Sequence, residues 1–298
     1  MTKVSGSRVV FNIFNYFFLG MIALLCFYPF YYILIYSLSD PIEAGTGITF
    51  WIKSFSLNNA KKVFELNGIL HAFVISVLRT VTGSFCTVMA CSFLGYLFTK
   101  RNFPAKKFFY RMLVITMYVG GGLIPYYLTI QAYHLNNTFF VYIIPSMISA
   151  FNVILIKTFI EQMPASLEES ASMDGAGHTL IFWKIILPLS GPILATITVF
   201  AAVGHWNTWM DNYLFVTDLD LQTLQYTLYL FLQEATELAK RLQSLNSSVI
   251  SEMDAAEMLT PTSVKMTVTV VTILPIFLFY PFMQKYFTKG IMIGAIKG

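Results

Sequence analysis

Glu169-Ser170-Ala171 and Asp174-Gly175 are the residues whose types and spacing carry a chemical instruction, and the chemistry is contact rather than bond making. A carboxylate at Glu169 can make a charge-assisted contact with a basic partner, and the small residues Ala171 and Gly175 let another backbone come close. Pro164 suits the first turn of a helix, where its missing N–H is no loss, and Leu167, Ala171 and Asp174 then share one side at three- and four-residue spacing. Gly175 ends that helix, because glycine reaches the left-handed conformation without a Cβ penalty. The chain turns sharply and resumes helically from His178 to Ile186, toward Leu187-Pro188. The plainest alternative is an ordinary polar loop between two apolar segments.

Other chemistries find little support. His71, His134, His178 and His205 are scattered, with no metal-ligand spacing, so no metal site is expected. Cys26, Cys86 and Cys91 lie inside apolar runs and read as small buried hydrophobes. There is no His-Glu-x-x-His and no pair of aspartates within an apolar segment. A Gly-x4-Gly-Lys-Ser/Thr loop is also missing, so nucleotide phosphates are not cradled in that way.

The elements that must position the Glu169 stretch are membrane helices. Mean hydropathy is +0.66, only 11% of residues are charged, and Phe and Tyr are abundant. Crossing a bilayer takes about 20 apolar residues, and six stretches approach that length. The chain therefore reads as an all-α integral membrane protein with six transmembrane helices. That leaves no room for a separate soluble domain. A net charge of +4 is explained by orientation in the membrane and implies no nucleic-acid partner.

Residues 1–10 form an amino-terminal tail, 11–286 the six-span domain, and 287–298 a carboxyl-terminal tail. The spans are Phe11 to Leu38, Phe73 to Phe98, Phe108 to Ala132, Phe139 to Ile160, Leu187 to Val203 and Val264 to Tyr286. External loops cover about 39–72, with a short helix starting near Ser56 to Asn59, and 207–262, where further helices are expected. Lys100, Arg101, Lys106, Lys107 and Arg111 crowd one short loop and mark the cytoplasmic side. Both termini then lie inside, and the loop at 161–188 is cytoplasmic. Arg79 is costly in hydrocarbon, so it either faces the bundle interior or snorkels toward the helix end. Gly120-Gly121-Gly122 with Pro125 reads as a hinge or, more simply, a close-packing point.

With this topology in place, the spacing has a counterpart. Glu169-Ser170-Ala171, three residues, Gly175, nine residues, then Ile185-x-Leu187-Pro188 resembles the signature of permease subunits of bacterial ABC importers, with Ser170 where that family usually has Ala. Gly121-Gly122-Leu123-Ile124-Pro125, Trp206-Asn207 and the tail from Lys289 to Gly298 resemble carbohydrate-uptake permeases of the maltose-importer type, particularly those importing oligosaccharides released from polysaccharides. The resemblance implies a cell-membrane subunit that imports a carbohydrate by alternating access. Its partners would be a second related permease, two ATP-binding subunits that hold ATP and Mg, and an extracytoplasmic solute-binding protein. Glu169, Ser170, Ala171, Asp174, Gly175, Ala176, Ile185, Leu187 and Pro188 would then form the ATPase-docking coupling loop. Lys289, Gly290, Gly294 and Lys297 would form a coupling tail. Arg79, Tyr126, Tyr127, Asn152, Trp206, Asn207 and Tyr213 are candidates for the translocation path, since aromatic faces and amides suit sugars. The alternatives are a permease for a non-sugar solute, a membrane-embedded enzyme and an ion-driven transporter.

Overall fold

The computed structural model describes residues 6–40, 50–65, 68–244, 265–279 and 281. The regular elements among them are helical, apart from one isolated bridge between Ser39 and Phe55. The chain divides into two compact units, Met1–Asn67 with Leu230–Ile273 and Gly68–Tyr229 with Leu274–Gly298.

In the first unit, helix α1 (Gly6–Leu38) is apolar all round and keeps Phe11, Phe14 and Phe17 exposed. A helix of this composition is stable in lipid or against another membrane helix. Cys26 lies on this exposed surface, so it is not the buried hydrophobe expected, whereas Cys91 is fully buried. Beyond α1 the Ser39 hydroxyl donates to the Ile35 carbonyl at 2.8 Å and accepts from the Lys53 N–H at 3.1 Å. Helix α2 (Asn58–Glu65) starts where the sequence placed it and packs on α1, with Val63 buried.

The second unit is built on α3 (Ile69–Thr99), an unbroken helix of 31 residues. Helices α6 (Ala150–Ile160) and α9 (Gly191–Asn207) lie along it. Glycine permits both contacts. A Cβ at Gly95 would come within 3.0 Å of Ile156 Cγ2, and one at Gly83 within 2.5 Å of the His205 ring. Helices without side chains at the crossing approach closely and gain dispersion energy along their length, which is the main attraction available in lipid. Val88, Cys91, Val153, Ile156, Ile193 and Ile197 fill the seam.

Two expected spans are not continuous helices. The segment Phe108 to Ala132 forms α4 (Lys106–Ile115) and α5 (Leu123–Ala132), with Gly120, Gly121 and Gly122 in the break between them. A Cβ on Gly120 or Gly121 would meet nothing within 4 Å, so within this chain the glycines interrupt a helix and are not a close-packing point. The segment Phe139 to Ile160 forms a 3₁₀ turn at Phe139–Tyr142, an irregular stretch through Pro145, and then α6. Hydropathy averaging passes over such breaks, because glycine, proline and their neighbours here are as apolar as the helices.

Helix α7 (Ser166–Met173) is followed by α8 (His178–Leu189), which meets α9 at 81°. Helix α9 thus starts at Gly191, beyond the Leu187 at which a span was expected to begin, and runs on to Asn207. Pro188 and Pro192 flank the bend at Ser190. Pro188 has no N–H for the Lys184 carbonyl and its ring crowds that group, and α8 widens to π pitch over Phe182–Ile186. The loop after α9 holds α10 (Met210–Phe215) and leads into α11 (Leu224–Ser244), which bears out the expectation of helices there. Among the described residues Arg8–Leu38 and Ile69–Thr99 are each long and apolar enough to cross a membrane, and the bent pair α8 and α9 adds a third if counted as one span. Ala150–Ile160 and Lys265–Phe279 (α12) are shorter apolar helices.

Candidate functional site

Two places in the second unit hold polar chemistry, and α3 runs between them. The first is a cavity of about 610 Å³, lined by Arg79 and Thr87 of α3, Tyr126 of α5, Asn152 of α6, His205 of α9, and Thr208 and Asp211 just beyond. Ser146, Ser149 and apolar side chains from the same elements complete it. Arg79 is 2% exposed, so its charge must be answered locally. Asp211 supplies the answer with two guanidinium contacts, one of them at 3.2 Å from Nη1 to Oδ1. Nη1 also donates to the Thr208 carbonyl at 2.8 Å, at the C-terminal end of α9, where unpaired carbonyls and the helix dipole favour a cation. The guanidinium carbon lies 4.6 Å over the Tyr142 ring, a cation–π contact. Arg79 therefore faces the interior and does not snorkel. Burial pushes the Asp211 carboxyl above its ordinary value, while Arg79 and the Asn212 N–H pull it back.

Around this pair the connecting segments are fastened by side-chain acceptors. Asn212 Oδ1 accepts from the N–H and hydroxyl of Thr223, and Ser76 Oγ accepts from the Leu224 N–H at 2.8 Å. Asn137 Oδ1 accepts from the Thr217 and Asp218 N–H groups, while the Asn137 N–H donates to Phe215. The Thr223 and Leu224 N–H groups, which are buried, find their partners here. His205 lies against Gly83, its Nε2 3.4 Å from the Thr87 hydroxyl.

Of the sequence-derived path candidates, Arg79, Tyr126 and Asn152 meet at the cavity. The others lie elsewhere. Tyr127 stacks on Phe215 at 5.7 Å, Trp206 is buried edge-on to Phe73, Asn207 accepts from Gln225, and Tyr213 belongs to a cluster with Trp209, Tyr226 and Tyr229. Asp211 and His205 were missed. The signal that could have found Asp211 was Arg79 itself, since a buried guanidinium demands a carboxylate somewhere in the chain.

The second place is the Glu169 segment. Helix α7 begins at Ser166, so Pro164 precedes the helix rather than sitting in its first turn. Its end is closed by a Schellman arrangement: the Gly175 N–H donates to Ser172 and the Ala176 N–H to Ala171, with Gly175 at φ +83°. Glu169, Ser170, Asp174 and Gly175 are exposed, as is Pro188, and Met173 stands 83% exposed. Ala171, Ala176, Ile185 and Leu187 turn the other way and pack against the core seam. The segment is thus a surface helix presenting carboxylates outward on an apolar backing. Lys289, Gly290, Gly294 and Lys297 lie outside the described residues.

Among the described residues, helices long and apolar enough to span a membrane, an open and largely apolar cavity with the Arg79–Asp211 pair in its wall, and an exposed helix–turn–helix segment suit a membrane transport component. The chain belongs to the family of binding-protein-dependent transport system inner membrane components, which matches residues 88–293. Protein LplC of Bacillus subtilis (strain 168) is 33% identical over 290 residues, covering 97% of this chain and 95% of that protein. The polygalacturonan/rhamnogalacturonan transport system permease protein YtcP of the same organism is also 33% identical over 290 residues, covering 97% and 99%. A chain from the crystal structure of a bacterial ABC transporter involved in import of the acidic polysaccharide alginate superposes with a TM-score of 0.85 at 27% identity, covering 96% of this chain and 100% of that one. This chain is accordingly an ABC transporter permease, an inner-membrane transport subunit, and the membrane-enzyme and ion-driven alternatives are set aside.

Proposed function

We propose that this chain is one of two permease subunits of an ATP-driven, binding-protein-dependent importer of oligosaccharides. The observation that carries the reading is the Glu169 segment within a chain of this family. A helix closed by Gly175 shows its charged side to solvent while Ala171 packs on the core seam. Such a helix suits a cleft in an ATP-binding subunit, with Glu169 meeting a basic residue there. The substrate class rests on the relatives, whose names include polygalacturonan and rhamnogalacturonan transport and melibiose, raffinose and stachyose import.

In this reading the helices form six spans, two of them broken, with both termini and the 161–188 loop in the cytoplasm. A solute-binding protein delivers the sugar on the opposite side, where the 207–262 region receives it. ATP and Mg on the partner subunits close the ATPase pair, which displaces α7 and α8. The spans then alternate between inward-open and outward-open arrangements. The wall formed by Tyr126, Asn152, Ser149 and Thr87 offers an aromatic face, an amide and hydroxyls to a passing sugar. The tail at 287–298 touches the ATPase pair.

Affinity purification of the tagged chain in mild detergent tests this. A second permease and an ATP-binding subunit are expected to co-purify, and both are expected to be lost with Gly175→Asp. A Gly175→Asp chain that assembles and imports labelled oligosaccharide at the unaltered rate would refute the docking assignment.

A further inference from the structure

The docking segment is held to the membrane helices at a point the family signature does not include. Lys100 follows α3 directly, and its ammonium pairs with Glu168, the residue before Glu169. The same ammonium lies 3.9 Å over the ring of Tyr96, one turn back in α3. The Tyr96 hydroxyl donates to the His178 carbonyl at 3.2 Å, at the first residue of α8. Tyr96 is almost wholly buried, and its ring lies 5.4 Å from that of Phe182, which is buried in α8. Two residues at the α3 end therefore reach both arms of the helix–turn–helix: Lys100 holds α7, and Tyr96 holds α8.

Neither arm is joined to α3 by nearby sequence. The contacts span 68 and 82 residues, so they are tertiary attachments rather than consequences of chain connection. Lys100 is mostly buried under Tyr96 and Glu168, in contrast to the solvated lysine that a positive-inside loop requires. Its cation is engaged on two sides, by a carboxylate and by a ring face. From this anchor α3 continues without a break for the 21 residues back to Arg79, about 30 Å at 1.5 Å per residue. Along that length it carries Thr87 and Arg79 into the cavity wall.

We infer that Lys100 and Glu168 are the positioning contact through which the docking segment moves α3, so that α3 carries the motion to the cavity wall. The inference rests on the docking reading above and adds a defined transmission path to it. A partner that displaces α7 pulls on Glu168 and hence on Lys100, and the buried Tyr96 keeps α8 in step. Without the pair, the segment can still be gripped, but α3 is no longer obliged to follow.

The test uses the assembled transporter with Cys26 and Cys86 replaced by Ala and Thr87→Cys as reporter. Modification of the reporter by a methanethiosulfonate is timed without nucleotide and after trapping with MgATP and vanadate. With the pair intact the rate is expected to change by about fivefold or more, the low end of ordinary coupling between sites. Lys100→Glu and Glu168→Lys should each abolish that change while the complex still hydrolyses MgATP. The double exchange K100E/E168K should restore most of it, which a merely structural role for either residue would not predict. Lys100→Met, which keeps the stem and removes the charge, serves should K100E fail to assemble. A full response in Lys100→Met, a trapped complex with no reporter change, or a double exchange no better than the single variants overturns the inference. Gly175→Asp separates the two levels. If it loses assembly while Lys100→Met responds fully, only the transmission path fails; if it assembles and responds, the docking reading itself fails.

Discussion

The two ends of α3 are built on opposite plans. Near Arg79 polar groups are buried among the helices: one guanidinium serves a carboxylate, a carbonyl and a ring face, and the buried Ser76 and Asn212 side chains hold the backbone at Leu224 and Thr223. Near Lys100 a whole helix, α7, lies on the surface, attached by one ion pair and by Ala171 against the core seam. The difference is one of purpose. Buried polar networks fix a unique geometry because every broken bond leaves an unsolvated group. An exposed helix on a sparse attachment keeps its charged face free for a partner, and local openings there cost little.

If that contrast is right, changes at the α7 end should reduce transport and spare stability, and changes at the Arg79 end should reduce stability first. The largest effect expected is from Gly175→Asp, which should reduce uptake to background. Its strain in the folded chain is only about 1–2 kcal/mol, because a side chain there meets no neighbour and the cost is that of the left-handed backbone alone. Glu169→Lys should lower uptake by about tenfold with the unfolding temperature nearly unchanged, since substitutions at exposed sites usually stay within about 0.5 kcal/mol. At the other end, Arg79→Met leaves Asp211 buried and uncompensated and should cost about 3–5 kcal/mol, read by thermal unfolding in detergent. Pairing it with Asp211→Leu should recover most of that loss. Asn212→Ala, which strips an acceptor from the Thr223 N–H and hydroxyl, should cost about 1–3 kcal/mol. A Gly175→Asp chain that unfolds as readily as Arg79→Met would erase the distinction.

The α7 end was the more legible in sequence because its instructions are local. A glycine at the right distance from an acidic helix specifies a Schellman turn whatever lies around it, and the bonds from Gly175 and Ala176 are those such spacing implies. Long apolar runs likewise located α1 and α3, although the helices start at Gly6 and Ile69, ahead of the expected Phe11 and Phe73. The cavity was less legible. Arg79 announced a need, but its answer lies 132 residues away and just past a span, where an aspartate looks like an ordinary loop residue. His205 was lost among scattered histidines because its place depends on Gly83, across a helix contact that no spacing encodes. Lys100 was hidden differently, since the positive-inside rule already accounted for a lysine at that point.

The bend of 81° between α8 and α9 has a mechanical reading. Two stiff arms meeting near a right angle at Ser190 make a bell crank, with a short arm of about 18 Å and a long arm of about 26 Å. A push of ~1 Å across the tip of the short arm swings the far tip of the long arm by ~1.4 Å, in a direction turned through nearly a quarter circle. The far tip carries His205 and Thr208. Travel delivered at one surface would thus re-emerge, slightly magnified and redirected, at the wall of the cavity.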